Sequence, residues 1–180
     1  MARDDHISLD DIATRLLDGP PEAGFDCGRE DQNTFLYERA WPDQQEKVSA
    51  TYLYYVHGIL AGYASVCMDS LPLGTRERGL TIRYKDIGAM KLAQLGVDRQ
   101  FQGRGLGALI VADVIGLART ISNQVGCRYV TLDAHPEVAG WYENALGFKR
   151  NKLRQKLRIE EATGKRDLST LAISMRYDIR

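Results

Sequence analysis

Residues 94–110 read QLGVDRQFQGRGLGALI, and they are the most informative segment of the sequence. A strand-like run over residues 90–97 leads into the glycine-rich turn 102–107, and a long helix follows. The apolar residues at helical spacing are Leu106, Leu109, Ile110, Val114, Leu117 and Ile121. Because a helix N-terminus carries unpaired N–H donors and partial positive charge, the turn predicts a site for an anion such as pyrophosphate. A tight turn of purely structural purpose is the alternative.

Two common phosphate-binding patterns do not fit this turn. The glycines run G-x-G-x-G, whereas the dinucleotide-binding fingerprint needs G-x-G-x-x-G. No Lys-Ser or Lys-Thr pair follows Gly107, so the P-loop pattern is excluded as well.

The composition is that of a globular protein. With 180 residues, 44% hydrophobic and 27% charged, the chain is expected to form a single domain over residues 1–180, and a disordered chain is excluded. It has neither a long apolar run nor a signal-peptide pattern, so we expect no membrane span and a cytoplasmic location. Cys27, Cys67 and Cys127 fit no disulfide or metal spacing, so we expect free thiols and no metal.

Patterns along the rest of the chain predict a mixed α/β domain with one sheet. Apolar spacing predicts the helices, and β-rich runs predict the strands, two of which form a hairpin across His57-Gly58. The predicted helices cover residues 9–17, 30–41 (ended by Pro42) and 136–145. The further predicted strands cover residues 50–56, 59–68, 127–133, 148 onward and 171–179.

Two ordered segments carry a resemblance to a known family. Residues 102–107 (QGRGLG) resemble the pyrophosphate loop of the GNAT superfamily of N-acetyltransferases, and residues 141–148 (WYENALGF) resemble that superfamily's later helical motif. The chain is therefore identified as a member. The resemblance implies a GNAT fold: a central mixed, mostly antiparallel sheet flanked by helices, with a V-shaped split between the fourth and fifth strands that holds acetyl-CoA.

The resemblance also implies the chemistry. An amine attacks the thioester directly, Tyr142 acts as general acid for the leaving thiolate, and backbone N–H groups of residues 95–97 meet the oxyanion. A packing role for Tyr142 is the alternative, and the base is left open among Asp133, Glu137 and a water chain. The residues implied to bind the cofactor are Leu95, Gly96, Val97, Gln102, Gly103, Arg104, Gly105, Leu106, Gly107, Ala108 and Asn144.

The N-terminal part carries a closer resemblance. Residues 24–28 (GFDCG) and 33–36 (NTFL) are similar to the opening of toxin-like GNAT members. Those members acetylate aminoacyl-tRNA and are held by a ribbon-helix-helix antitoxin, so the resemblance implies both partners, and a homodimer is left open. A standalone acetyltransferase for a small amine or a protein amine, and a catalytically silent acyl-CoA-binding or partner-binding module, remain as alternatives.

A basic run near the C-terminus gives an independent argument for RNA. In residues 152–159 (KLRQKLRI) the cations Lys152, Arg154, Lys156 and Arg158 alternate with other residues. As a strand, this run would present four cations on one face, which suits tRNA phosphates. A solvated edge kept charged against aggregation is the alternative.

Overall fold

The computed structural model describes residues 6–162 and 171–180. The strands are β1 (Ile12–Leu16), β2 (Ala50–Val56), β3 (Ile59–Pro72), β4 (Asp86–Val97), β5 (Tyr129–Ala134), β6 (Lys149–Arg150) and β7 (Ile173–Asp178). The helices are α1 (Glu30–Thr34), α2 (Ala40–Gln45), α3 (Thr75–Arg78), α4 (Leu106–Ser122), α5 (Pro136–Asn144) and α6 (Lys152–Ala162). Contacts divide the described chain into two compact units, one up to Cys67 with Leu92–Val114, the other Met68–Lys91 with Ile115–Arg180.

The first unit is built on the predicted hairpin. His57 (φ 51°) and Gly58 (φ 79°) both have positive φ, as a two-residue turn between twisted strands requires, and β2 pairs antiparallel with β3. The strand order in this unit is β1-β2-β3-β4. Its buried cluster comprises Leu17, Phe25, Cys27, Leu36, Ala40, Leu53 and Tyr63.

The helix predicted at residues 9–17 is wrong. After a 3-10 turn over Leu9–Asp11, capped by Ser8, the chain extends into β1 and pairs antiparallel with β2. Leu9 and Leu16 are exposed, so the apolar spacing does not mark a buried helical stripe. The hydrogen-bonding edge of β2 outweighs the local helical pattern, because pairing satisfies the backbone of both strands.

The second predicted helix continues past Pro42. A π-helical turn, Phe35–Arg39, joins α1 to α2, and Pro42 lies in the first turn of α2. Because the π-helical turn leads directly into α2, Pro42 lies within a continuous helical run, where its missing N–H removes one helical hydrogen bond.

The second unit contains parts of β3 and β4 together with β5, β7 and β6, in that strand order. β5 pairs antiparallel with β7 from Tyr129 opposite Asp178 to Ala134 opposite Ile173. Leu71, Leu73, Ala89 and Tyr129 form its buried cluster. Helix α5 begins at Pro136, as predicted, and Gly147 (φ 74°) follows its end.

The strand predicted over residues 152–159 is wrong, because these residues form helix α6. In a helix, residues two apart in the sequence point to opposite sides, while residues four apart share a face. Arg154 and Arg158 therefore lie together on one face, and Lys152 and Lys156 lie on another. The side chain of Lys156 is 72% exposed, whereas that of Arg154 is only 13% exposed.

Two carboxylates of the second unit hold the arginine face of α6. Arg154 donates from both terminal nitrogens to Asp69, at 2.7 and 3.0 Å, and Arg158 does the same to Asp133, at 2.6 and 2.9 Å. Lys91 Nζ lies 2.7 Å from Asp133 Oδ2. Burial raises the pKa of Asp69, but hydrogen bonds from Arg154 and Thr131 outweigh it and hold that pKa below 3.8. Helix α6 is thus attached through charged groups.

The expected fold class is confirmed: the protein is mixed α/β with a mostly antiparallel sheet, including a parallel pair, flanked by helices. The V-shaped split between the fourth and fifth strands and the single-domain organisation over residues 1–180 stay predictions. Among the described residues, no helix is both long and apolar enough to cross a membrane.

Arg154→Ala tests the attachment of α6. The Asp69 side chain is 17% exposed, so losing Arg154 leaves a mostly buried carboxylate without its ion-pair partner. We expect a loss of about 3 kcal/mol in the free energy of unfolding, from urea titration at pH 7. The control Lys156→Ala removes an exposed cation and should change stability by less than about 0.5 kcal/mol.

The same pair predicts a pH dependence. A carboxyl whose pKa is lowered by folding contributes stability that is present above its ordinary pKa and is lost as pH falls through the folded value. The difference in stability between wild type and Arg154→Ala should therefore shrink below about pH 4. Equal stabilities of wild type and Arg154→Ala at pH 7 would contradict the assignment.

Candidate active site

The glycine-rich turn lies in the first unit and opens helix α4. Gly103 (φ 73°) and Gly105 (φ 85°) both adopt the left-handed conformation that favours glycine. Ala108 N donates to Gly105 O, which begins the hydrogen bonding of the helix. The N–H groups ahead of Ala108 belong to the helix N-terminus, where an anion is favoured. The turn therefore suits a pyrophosphate bound by backbone.

A buried carboxylate fixes the strand end just before this turn. Asp98 is 3% exposed, and its Oδ1 accepts from Gln100 N at 2.9 Å while its Oδ2 accepts from Asp26 N at 2.9 Å. Its own N–H donates to Ala61 O at 2.9 Å. Asp98 thereby joins the turn to β3 and to the segment around Asp26. The position of Asp98 at a strand end is a sequence signal for this role, because polar residues there commonly form hydrogen bonds with nearby backbone groups.

The segment 24–28, singled out by its family resemblance, braces the turn. Gln102 Nε2 donates to Cys27 O and to Val97 O, both at 2.9 Å. Asn33 accepts from Cys27 N at 3.0 Å and donates to Asp26 Oδ1 at 2.8 Å. The side-chain amide of Gln102 therefore holds the turn in place. The backbone of the turn remains the part that we expect to face the cofactor.

The first described residues lie against the turn. Ile7 N donates to Arg104 O at 3.0 Å, and the Ile7 side chain is buried. The His6 ring packs on Gly105 so closely that a Cβ there would lie 2.5 Å from His6 Cε1. No pattern in the sequence indicated this contact, because residues 6 and 105 are joined only by the tertiary fold.

Gly96, at the end of β4, is required by packing. A Cβ at this position would lie 2.5 Å from Tyr63 Cε1 and 3.1 Å from Phe25 Cζ. Tyr63 and Phe25 meet edge to face with ring centroids 5.6 Å apart. This cluster fixes the backbone of residues 95–97, the segment expected to meet the oxyanion.

Tyr142 lies in the second unit, on helix α5, and is 8% exposed. Its ring meets Trp141 at 4.8 Å and Phe148 at 5.6 Å between centroids, both edge to face. Burial raises the pKa of Tyr142 to about 12. The phenol is therefore protonated across the whole neutral range and can donate a proton.

The second unit also contains the candidate bases Asp133 and Glu137 and the candidate cofactor residue Asn144. Burial raises the pKa of Asp133, but hydrogen bonds from Arg158 and Lys91 outweigh it and hold that pKa below 3.8. A carboxylate so stabilised is a weak base, which favours a structural role for Asp133. Glu137 is exposed in the first turn of α5, and Asn144 is exposed at its end. Among the described residues, no group of three His, Cys, Asp or Glu side chains could hold a metal ion.

Comparison with known proteins identifies the class. The model of the acetyltransferase (GNAT) family matches residues 15–148. The chain belongs to this family and is an acetyltransferase. The resemblance predicted from residues 102–107 and 141–148 is confirmed, and acetyl-CoA, the cofactor that it implied, is the one this family uses.

Particular relatives are similar over most of the chain. A tRNA-acetylating toxin of Mycobacterium tuberculosis is 25% identical over 130 residues, which are 71% of this chain and 78% of the relative. The structure of AtaT complexed with acetyl-methionyl-tRNAfMet has a TM-score of 0.73 at 22% identity, covering 93% of this chain and 95% of that chain. The structure of AtaTR bound with AcCoA has a TM-score of 0.68 at 24% identity, covering 93% of this chain and 95% of that chain. The two structural similarities establish the fold.

Gly105→Val tests the turn as a cofactor site. A side chain here would obstruct the backbone approach, so we expect acetyl-CoA affinity to fall at least about tenfold, measured by calorimetry. Gly58→Val is the control for backbone strain, because Gly58 also has a positive φ (79°), lies outside the turn, and a Cβ there meets no described atom within 4 Å; it should bind acetyl-CoA as tightly as wild type.

The double variant His6→Ala/Gly105→Val separates cofactor approach from the collision with His6. We expect it to bind acetyl-CoA as weakly as Gly105→Val. Wild-type affinity in the double variant would assign the loss to displacement of His6, and wild-type affinity in a folded Gly105→Val would place the cofactor elsewhere.

Proposed function

We propose that this acetyltransferase transfers the acetyl group of acetyl-CoA to the amino group of aminoacyl-tRNA. The observation that carries the choice of acceptor is the similarity to the tRNA-acetylating toxin over 71% of the chain. The structural similarity to AtaT, whose complex contains acetyl-methionyl-tRNAfMet, supports the same choice. The bracing of the glycine-rich turn by the toxin-like segment 24–28 adds a feature of this chain itself.

The residues of the first unit would hold the cofactor. Backbone N–H groups of residues 103–107 would bind the pyrophosphate, and Arg104, stacked over Phe101 at 5.6 Å, adds positive charge beside them. Backbone N–H groups of residues 95–97 would stabilise the developing oxyanion. Bound acetyl-CoA supplies the thioester that the amine attacks.

Tyr142 would complete the reaction by giving its hydroxyl proton to the departing sulfur as the carbon–sulfur bond breaks. The α-amino group of the acceptor has an ordinary pKa near ~8, so a useful fraction is already neutral at pH 7 and no strong base is needed. Water can take the proton that the amine loses, which agrees with the paired state of Asp133.

The tRNA would meet cations that the fold leaves exposed. On α6 these are Lys152 and Lys156, while Arg154 and Arg158 are engaged by carboxylates. The sequence predicted that four alternating cations would contact the tRNA. Because the segment is a helix, two of the four, Lys152 and Lys156, are left for that contact.

Protein partners follow from the same relatives. AtaT has been solved bound to the C-terminus of the antitoxin AtaR. We extend this to an antitoxin partner for the present chain, of the ribbon-helix-helix type implied by its sequence, and keep a homodimer as a further proposal. We also propose a cytoplasmic location, where aminoacyl-tRNA is found.

Acetylation of aminoacyl-tRNA is tested with radiolabelled acetyl-CoA. We expect label in a charged tRNA pool and none in the same pool after deacylation, and alkaline hydrolysis should release an N-acetylated amino acid. Label transferred only to small amines or protein amines, with charged tRNA inert, would favour the standalone acetyltransferase. No transfer to any amine would favour the silent module.

Tyr142→Phe tests the proton donor. The ring and its packing are kept, so stability and KM for acetyl-CoA should stay near wild type while kcat falls by about 10²–10⁴-fold. Tyr84→Phe makes the same chemical change on an exposed side chain and should leave kcat unchanged. Near-normal turnover with reduced stability would instead identify Tyr142 as a packing residue.

A further inference from the structure

The second unit contains a strongly cationic cavity that the acetyl-transfer chemistry does not use. Its volume is about 500 Å³, and it lies between the segment 76–81, the start of β5 and the end of β7. Six cations and two acids line it, which makes it a place of excess positive charge. The cations are Arg76, Arg78, Arg128, Lys149, Arg176 and Arg180.

The two acids neutralise only part of this charge. Asp178 Oδ2 is shared by Arg128 at 3.0 Å and Arg180 at 3.1 Å. Glu77 Oε1 accepts from Arg176 at 2.9 Å. The Arg78 guanidinium bonds neutral groups, donating to Arg83 O at 3.1 Å. The lining therefore keeps a net positive charge in a partly enclosed space, where charges are less screened than on an open surface.

Two arginines of the lining have hydrogen-bonding capacity to spare. The buried Nε atoms of Arg78 and Arg128 have no hydrogen-bond partner among the described residues. These two N–H groups are enclosed by the protein, so they show that the guanidinium groups are incompletely paired and do not themselves face the cavity. Guanidinium groups match the tetrahedral oxygens of a phosphate, which can accept several charge-assisted bonds at once.

Aromatic rings accompany the cations, as in many nucleotide sites. The Tyr129 ring has the Arg128 guanidinium 5.4 Å and the Arg176 guanidinium 6.0 Å from its centroid. Tyr177, which lines the cavity, packs on Phe148 at 5.5 Å, and Phe148 packs on Tyr142 at 5.6 Å. Only two ring contacts therefore separate the cavity wall from the proposed proton donor.

We propose that this cavity binds a phosphate group at the acceptor end of the aminoacyl-tRNA. In that substrate the reacting amine belongs to an amino acid esterified to the terminal ribose, and the same nucleotide carries a phosphate. A phosphate held near Tyr177 would place the amine in the neighbourhood of Tyr142. The inference rests on the proposed function, and it names the part of the substrate that the cavity recognises.

A double charge reversal, Arg76→Glu/Lys149→Glu, removes two cations of the lining that form no ion pair with any described residue. The matched control is Lys85→Glu, an exposed cation of the same unit outside the cavity. Circular dichroism and melting temperature should be near wild type for both variants.

Binding is measured by calorimetry with saturating CoA present, so that the cofactor site is filled. Adenosine monophosphate should bind the wild type and the control, and adenosine should bind neither. The double reversal should lose at least about tenfold in affinity for the monophosphate. Inorganic phosphate that binds as tightly as the monophosphate, with tRNA kinetics unchanged in the double reversal, would show a free-phosphate site and overturn the assignment to tRNA.

Kinetics separate this inference from the proposed function. The double reversal should raise KM for aminoacyl-tRNA at least about tenfold and leave acetylation of an amino acid methyl ester unchanged, since the ester has no phosphate. Equal KM values for tRNA in the double reversal and in Lys85→Glu would overturn the inference while the proposed function stands. A wild type that acetylates the ester but not aminoacyl-tRNA would instead refute the proposed function and, with it, the tRNA assignment of the cavity.

Discussion

The buried carboxyl group of Asp98 fixes the position of the glycine-rich turn. Its two oxygens accept from Asp26 N and Gln100 N, and its own N–H reaches Ala61. A carboxyl group this deeply buried needs hydrogen-bond partners, and its two bonds fix the backbone of Asp26 and Gln100. The glycine-rich turn is consequently presented by a rigid support, as backbone recognition of a pyrophosphate requires.

Charge, more than apolar burial, also determines the attachment of helix α6 in the second unit. Leu157 and Ile159 remain exposed, while Arg154 and Arg158 face Asp69 and Asp133. The arrangement explains why a segment so rich in cations leaves few of them free for a nucleic acid. It also leaves Asp133 paired with Arg158 and Lys91, which is why we propose water as the acceptor of the amine proton.

The sequence predicted the elements whose signals are local. A few adjacent residues determine each of three elements. These are the turn at His57-Gly58, the helix after the glycines and the start of α5 at Pro136. The prediction for residues 9–17 failed because pairing with β2 outweighs a helical spacing, whereas the spacing of residues 152–159 fits both a helix and a strand; in both segments the outcome depends on distant partners.

The candidate site divides in the same way. Its glycines and Tyr142 are readable because their chemistry is tied to a motif, whereas the contact of His6 with Gly105 is not, since it joins residues far apart in the chain. The roles of Asp26 and Asn33 could be predicted only in part. Their motif was visible, but its purpose, bracing Gln102 and Asp98, required the structure.

The pH profile of single-turnover acetyl transfer tests whether Tyr142 is the proton donor. A proton donor whose pKa is about 12 stays protonated far above neutrality. With Tyr142 as the donor, we expect the rate to rise as the acceptor amine loses its proton, at about pH 8, and then to stay level to about pH 10 in a protein that circular dichroism shows to be folded. A fall in rate between about pH 8 and 9.5 would reveal a more acidic donor and contradict the assignment of Tyr142.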